Sequence, residues 1–205
     1  MTRPSQGRCP GSTPGRRISE IKKMIINKKT AIAIFIIAII ILVSILAYNK
    51  MAQTSTKILL ETNYGNITIQ LRSDMPITAG NFKSLVEKGT YNGVIFHRII
   101  PGFMIQGGDP TGTGYGDPKI KMIKDEFIGK QQNNRGTIAM ANAGPNTGSS
   151  QFFINLVNNN FLDNKHPVFG DIVQGMDTVD QISGVATDHN DKPLKEVKII
   201  TAKVI

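Results

Sequence analysis

From about residue 57 onward the sequence predicts a mostly-β domain, an antiparallel barrel or sandwich capped by helices. Three observations lead there. Short apolar runs with β-branched and aromatic residues recur down the chain, bounded by glycine, proline, asparagine and aspartate. Only two stretches of this region switch to a helical period. The order is not the βαβα alternation that builds a parallel nucleotide-binding sheet.

The segment before that region reads differently. Residues 31–48, "AIAIFIIAIIILVSILAY", hold Ser44 as their only non-aromatic polar side chain. A bilayer core takes roughly 20 apolar residues of helix, so the reading is a single membrane-spanning anchor. Residues 1–30 form a basic arm in which Lys22, Lys23, Lys28 and Lys29 precede the anchor, and only Lys50 follows it closely. The positive-inside rule then places the arm in the cytoplasm and the remaining chain outside the cell membrane. The segment exceeds a signal-peptide core and lacks a good small-residue cleavage site, which favours an uncleaved anchor; cleavage would make the domain a secreted one. Residues 1–23 are rich in arginine, glycine and proline, whereas lysine, isoleucine and asparagine dominate after Met24, which is a second candidate start beside Met1. Residues 49–56, "NKMAQTST", read as a linker to a domain spanning 57–205.

Charge narrows the function classes. The formal charge of +9 is concentrated at the start: residues 1–50 carry nine Lys/Arg against Glu20, and residues 51–205 carry fifteen against fourteen acids. The domain is nearly neutral, so nucleic-acid binding loses its main support. Cys9 is the single cysteine, which rules out an intramolecular disulfide. His97, His166 and His189 are widely spaced and no pair has ligand spacing, so neither a metal nor a cofactor is expected.

Within the domain, "KILLET" and "NITIQL" flank "NYG" as a hairpin. Asn66 fits a glycosylation acceptor but reads better as an ordinary strand residue. "MPITAGNFKSLVEKGTYNG" is a helix with Ile77, Phe82, Leu85 and Val86 on one face, capped by Thr78 and ended by Gly89. Strands follow in "VIFHRII", "FMIQGG", "GTIAMA", "QFFINL" and "VFGDIV". A second helix in "MDTVDQIS" turns Met176, Val179 and Ile182 inward, and "EVKIITAKVI" closes as a strand. "GGDPTGTGYGD" matches no phosphate-binding pattern and reads as a turn-forming loop. The small residues of "AMANAGPNTGSSQFF" suit close approach of a ligand backbone.

"FHRIIPGFMIQGGD" at 96–109, "MANAGPNTGSSQFFI" at 140–154 and "FLDNKHPVFG" at 161–170 resemble the three signature segments of the cyclophilins, a family of peptidyl-prolyl cis–trans isomerases. The resemblance implies an eight-stranded antiparallel β-barrel capped by two α-helices. It also implies Arg98 as the catalytic donor, with Gln106 holding the substrate backbone and orienting Arg98. By the same resemblance Phe103, Met104, Phe153 and Leu162 line a proline pocket with His166 at its edge, and Asn142 holds the substrate backbone. His97 and Gln151 border the site, while Gly112, Ala141 and Ala143 leave room for the peptide. Phe161 stands where many members carry tryptophan, which implies retained activity and weakened binding of cyclosporin. The short loop between Gly107 and Phe127 resembles prokaryotic and minimal members.

The expected function is isomerisation of X-Pro bonds in proline-containing polypeptides, assisting exported proteins to fold, by a monomeric catalytic domain. The alternative is a noncatalytic, membrane-tethered proline-peptide binding module. Arg98 separates the two readings, because a pure binder has no use for a donor aimed at the proline nitrogen.

Overall fold

The computed structural model describes residues 28, 30–44, 56–129 and 131–205. The chain divides into two units, Met1–Ala52 and Gln53–Ile205.

In the first unit, residues 30–44 are helical. Among the described residues, however, no helix is long and apolar enough to cross a membrane. At about 1.5 Å per residue these helical residues rise roughly 22 Å, short of a hydrocarbon core about 30 Å thick. Residues 45–48 of the anchor expected over 31–48 lie outside the described residues, as do the arm up to residue 27 and the linker up to residue 55. The transmembrane reading is therefore corrected. The placements derived from it fall too: a cytoplasmic N-terminus, a domain outside the cell membrane, and secretion after cleavage.

The second unit contains β1 (Lys57–Thr62), β2 (Gly65–Leu71), α1 (Thr78–Glu87), β3 (Phe96–Ile100), β4 (Met104–Gly107), β5 (Thr137–Met140), β6 (Phe152–Asn155), β7 (Val168–Gln174), α2 (Met176–Ser183) and β8 (Ile199–Val204). The strands form one antiparallel sheet in the order β3-β4-β6-β5-β7-β2-β1-β8. Its two outer strands come together, since Ile95 bridges Lys198 and Phe96 N–H donates to the Val197 carbonyl at 2.8 Å. Curling the sheet in this way pairs backbone groups that an open edge would leave unmet.

The period-2 alternation explains the interior. Ile58 and Leu60 of β1, Ile67 and Ile69 of β2, Ile105 of β4, Ile138 of β5, and Phe152 and Ile154 of β6 are fully or almost fully buried. Helix α1 closes one end with Phe82, whose ring lies 5.0 Å from Tyr91, 5.4 Å from Phe152 and 5.0 Å from Phe169. Such tilted and edge-on aromatic contacts add to what burial alone contributes. Helix α2 buries Val179 and Ile182, with Met176 packed against the same core.

Two details of α1 depart from expectation. Ile77 is exposed rather than on the inner face. Thr78 makes no capping bond; the Glu126 carboxylate, 48 residues away in sequence, accepts from Ile77 N–H at 3.1 Å and Thr78 N–H at 2.9 Å. A carboxylate at a helix N-terminus meets orphan donors and the positive end of the helix dipole, so it displaces the weaker hydroxyl cap. Gly89 does end the helix, at φ +71°.

Candidate functional site

Alternation that sends Phe152 and Ile154 inward sends Phe153 out, and the outer face of four adjacent strands carries a second apolar cluster. Met104, Ala139, Phe153 and Val168 form it, with Phe103, Ala141, Leu162 and Ile100 packed around. The strand registers put Arg98 opposite Gln106, Gln106 opposite Phe153, and Phe153 opposite Ala139. One row therefore crosses β3, β4, β6 and β5, from a cation through an amide to an apolar floor.

Arg98 faces this row because β3 is irregular. Phe96 and Ile99 are both fully buried although three residues apart, which strict alternation forbids. The register between β3 and β4 shifts between Phe96 and Arg98, so one extra residue, His97, is accommodated and the phase reverses. Arg98 is thereby left half-exposed. Among the described residues its one side-chain partner is Asp191, whose carboxylate accepts from Nε at 3.4 Å.

His97 is buried beneath the loop that follows β4, and a Cβ on Gly114 (φ +86°) would lie 3.3 Å from the imidazole. Its Nδ1 has no hydrogen-bond partner. Burial pushes the imidazole below its ordinary value; the Asp109 carboxylate opposes this, and Arg98 and Lys192 add to the depression. Asp109 itself is fully buried and winds the loop about its carboxylate. Oδ1 accepts from Thr111 N–H (2.9 Å) and Thr111 Oγ1 (2.8 Å); Oδ2 accepts from Gly114 N–H (2.7 Å), Gly116 N–H (3.2 Å) and Thr113 Oγ1 (3.2 Å). Burial alone would raise this carboxyl, but the bonds from Thr111, Gly116 and Gly114 outweigh it and hold it below the usual carboxylate range.

The loop so formed makes one wall of an open groove. Gln106, Gly114, Tyr115, Ala141, Asn142, Ala143 and Gln151 line it. Gln106 Nε2 donates to Gln151 Oε1 at 2.9 Å, and Gln151 Nε2 donates to the Gly114 carbonyl at 2.9 Å, tying β4 to the loop. Gly112 lies earlier in the same loop and turns toward Ile95. On the far side, Asn142 Nδ2 donates to the Lys165 carbonyl at 2.8 Å, and His166 Nδ1 lies 3.1 Å from the Met140 carbonyl. The His166 ring meets Phe153 edge-on at 5.4 Å. Phe161 stacks on Phe103 at 5.8 Å and remains exposed.

Most of the expected site residues thus gather on one outer face, around the row and the groove; His97 lies buried beneath the loop and Gly112 faces Ile95 instead. Sequence reasoning missed three contributors. Asp109 was legible in principle, as an aspartate followed two residues on by a threonine in an Asx-type turn. Asp191, far along the chain, and Tyr115 at the loop tip carried no comparable signal.

A sequence profile of the family described as "Cyclophilin type peptidyl-prolyl cis-trans isomerase/CLD" matches residues 57–204. The chain belongs to the cyclophilins. It is a peptidyl-prolyl cis–trans isomerase. A "Peptidyl-prolyl cis-trans isomerase-like 1" of Gibberella zeae is 46% identical over 155 residues, which cover 74% of this chain and 96% of that protein. An isomerase of Schizosaccharomyces pombe is 47% identical over 147 residues, covering 70% and 95%. A crystal structure of a Cryptosporidium parvum cyclophilin superposes with a TM-score of 0.71 at 34% identity, covering 74% of this chain and 98% of that one. The same protein in the presence of the dipeptide Ala-Pro gives 0.69 at 35% identity, covering 73% and 98%. These cyclophilins are eukaryotic, and they lend no support to the prokaryotic-type reading drawn from the short loop. None of the comparisons supports membrane tethering.

Proposed function

We propose that the outer-face row is where the cyclophilin isomerises its X-Pro bond, with Arg98 as the catalytic residue and residues 57–205 as the catalytic unit. Amide resonance sets a barrier of about 18–20 kcal/mol to rotation. At the twisted transition state the resonance is lost and a lone pair localises on the proline nitrogen. A donor aimed at that nitrogen stabilises the transition state above either planar state, which is the condition for catalysis. No bond is broken, so no nucleophile is required.

The guanidinium suits this task. It is always charged and presents several donors in a fixed fork. Arg98 engages Asp191 through Nε alone, leaving both terminal nitrogens available to a substrate. The proline ring would seat on the outer-face cluster of Met104, Phe153, Phe103 and Leu162, against the edge of His166. Gln106 and Asn142 would hold the peptide backbone, and Ala141 and Ala143 leave it room. Gln106 also faces Arg98 across the strand pair, with its amide nitrogen donating to Gln151. The single observation carrying this reading is the juxtaposition, across one row, of a half-exposed guanidinium and a closed apolar floor.

The test is isomerisation of a proline-containing peptide by the full chain and by Arg98→Ala, read by magnetisation exchange so that binding and turnover separate. A donor acting only in the transition state is worth roughly 10²–10³ in turnover. Loss on that scale with the peptide still bound is expected; unchanged turnover in Arg98→Ala would remove Arg98 from the mechanism.

A further inference from the structure

The hairpin-like turn at 188–192 belongs to no strand of the sheet, yet it holds Arg98 from two sides. Asp191 accepts the main-chain N–H of Ile99, the residue after Arg98, on its carbonyl at 2.8 Å. Its carboxylate meets Arg98 Nε at 3.4 Å. Among the described residues Asp191 is one of three non-glycine residues with positive φ, at +63°. A non-glycine residue kept in the left-handed region is strained, and such strain persists where the surroundings over-determine it. The turn supplies that determination: Asp188 accepts Asn190 N–H at 2.8 Å and Lys192 N–H at 3.0 Å on Oδ1, while Asp188 N–H donates to the Lys192 carbonyl at 2.8 Å. Glycine would satisfy the same backbone with less strain, so a carboxylate at this position requires an account of its own.

We infer that Asp191 is a positioning residue for Arg98: by taking Nε it fixes the guanidinium plane and presents the two terminal nitrogens to the proline nitrogen. This rests on the reading of Arg98 as the donor. Gln106 lies across from Arg98 with its amide nitrogen donating to Gln151, and the carboxylate that accepts from Arg98 is that of Asp191. Asp191 therefore occupies the orienting place. A half-exposed ion pair is worth a factor of up to about five, so the effect belongs in that range rather than in orders of magnitude.

Two substitutions separate orientation from folding. Asp191→Gly removes the carboxylate and suits φ +63°, and Asp191→Asn removes only the charge while tolerating the same backbone. In the full chain, turnover of a proline-containing peptide falls about three- to fivefold in both, with KM within about twofold and the melting temperature of Asp191→Gly equal to or above that of the parent. The Arg98 Nε–H resonance, slowed in exchange by its carboxylate partner in the parent, exchanges faster in both variants. On an Arg98→Ala background, Asp191→Gly causes no further loss. Parent-level turnover in both variants, while Arg98→Ala is inactive, would overturn the role of Asp191 and leave Arg98 standing. Full activity of Arg98→Ala would instead overturn the reading beneath it.

Discussion

Replacing Asp109 with asparagine tests whether the groove wall is built from one buried carboxylate. Five donors converge on that side chain. Turned the favourable way, the amide keeps its oxygen toward Gly114 and Gly116 and points its NH2 at Thr111. The Thr111 hydroxyl can reverse and accept, but the Thr111 N–H cannot, and it is left facing another donor. An orphaned donor costs about 1–3 kcal/mol, and the remaining bonds lose their charge assistance. The sum is about 3 kcal/mol. For a domain of roughly 150 residues each kcal/mol moves Tm by about 2–4 °C, so Asp109→Asn should melt roughly 6–12 °C lower by calorimetry.

The pH dependence gives an independent reading. Because the folded carboxyl of Asp109 lies below its unfolded value, its contribution is complete above about pH 4 and is lost as pH falls through the folded value. The gap between parent and variant should therefore be constant near neutrality and narrow below about pH 4. Because Gly114 carries the loop to Gln151 and hence Gln106, kcat/KM should fall with the loop's order. A variant that melts within 2 °C of the parent, with the same gap at pH 3 as at pH 7, would refute the reasoning.

Two other outcomes are expected. His97 sits buried with Nδ1 unpartnered and its imidazole depressed, so its contribution to stability is complete above about pH 6.5 and lost as pH falls toward the folded value; His97→Gln should flatten urea midpoints measured between pH 7.5 and pH 5, and an unchanged slope would exclude it. Phe161 is exposed and stacked on Phe103 at the site's edge but offers no N–H; Phe161→Trp supplies an indole donor worth about 1 kcal/mol, and calorimetric titration should find cyclosporin bound roughly five- to tenfold more tightly, with turnover unchanged.

The readable parts of this chain were those governed by local rules. Alternation in "NITIQL" and "QFFINL" marked which side chains face the interior, because a strand's period is fixed by backbone geometry. Arg98 and the apolar residues around it were found as members of three long motifs. The Asn63-Tyr64 turn and the Gly89 helix end followed from backbone preferences of short segments. Length and purity misled at 31–48, where the expectation of a membrane-crossing helix rested on hydropathy alone and the described helical residues fall short of a span.

What remained hidden depends on distance along the chain. Sequence could identify the helix start at Thr78, but not that Glu126 would cap it. It could place Arg98 on a strand, but a run of alternating residues gives no sign of the extra residue at His97 that turns Arg98 outward. Nor could it pair Arg98 with Asp191, 93 residues later. By themselves the residues determined the strands, the helices, the family motifs and the near-neutral charge of the domain, since each follows from side-chain chemistry and backbone preference over a few positions. Only the closing of the sheet decided which cation meets which carboxylate and which face becomes the groove, because those contacts form between segments whose separation in sequence carries no energy until the fold brings them together.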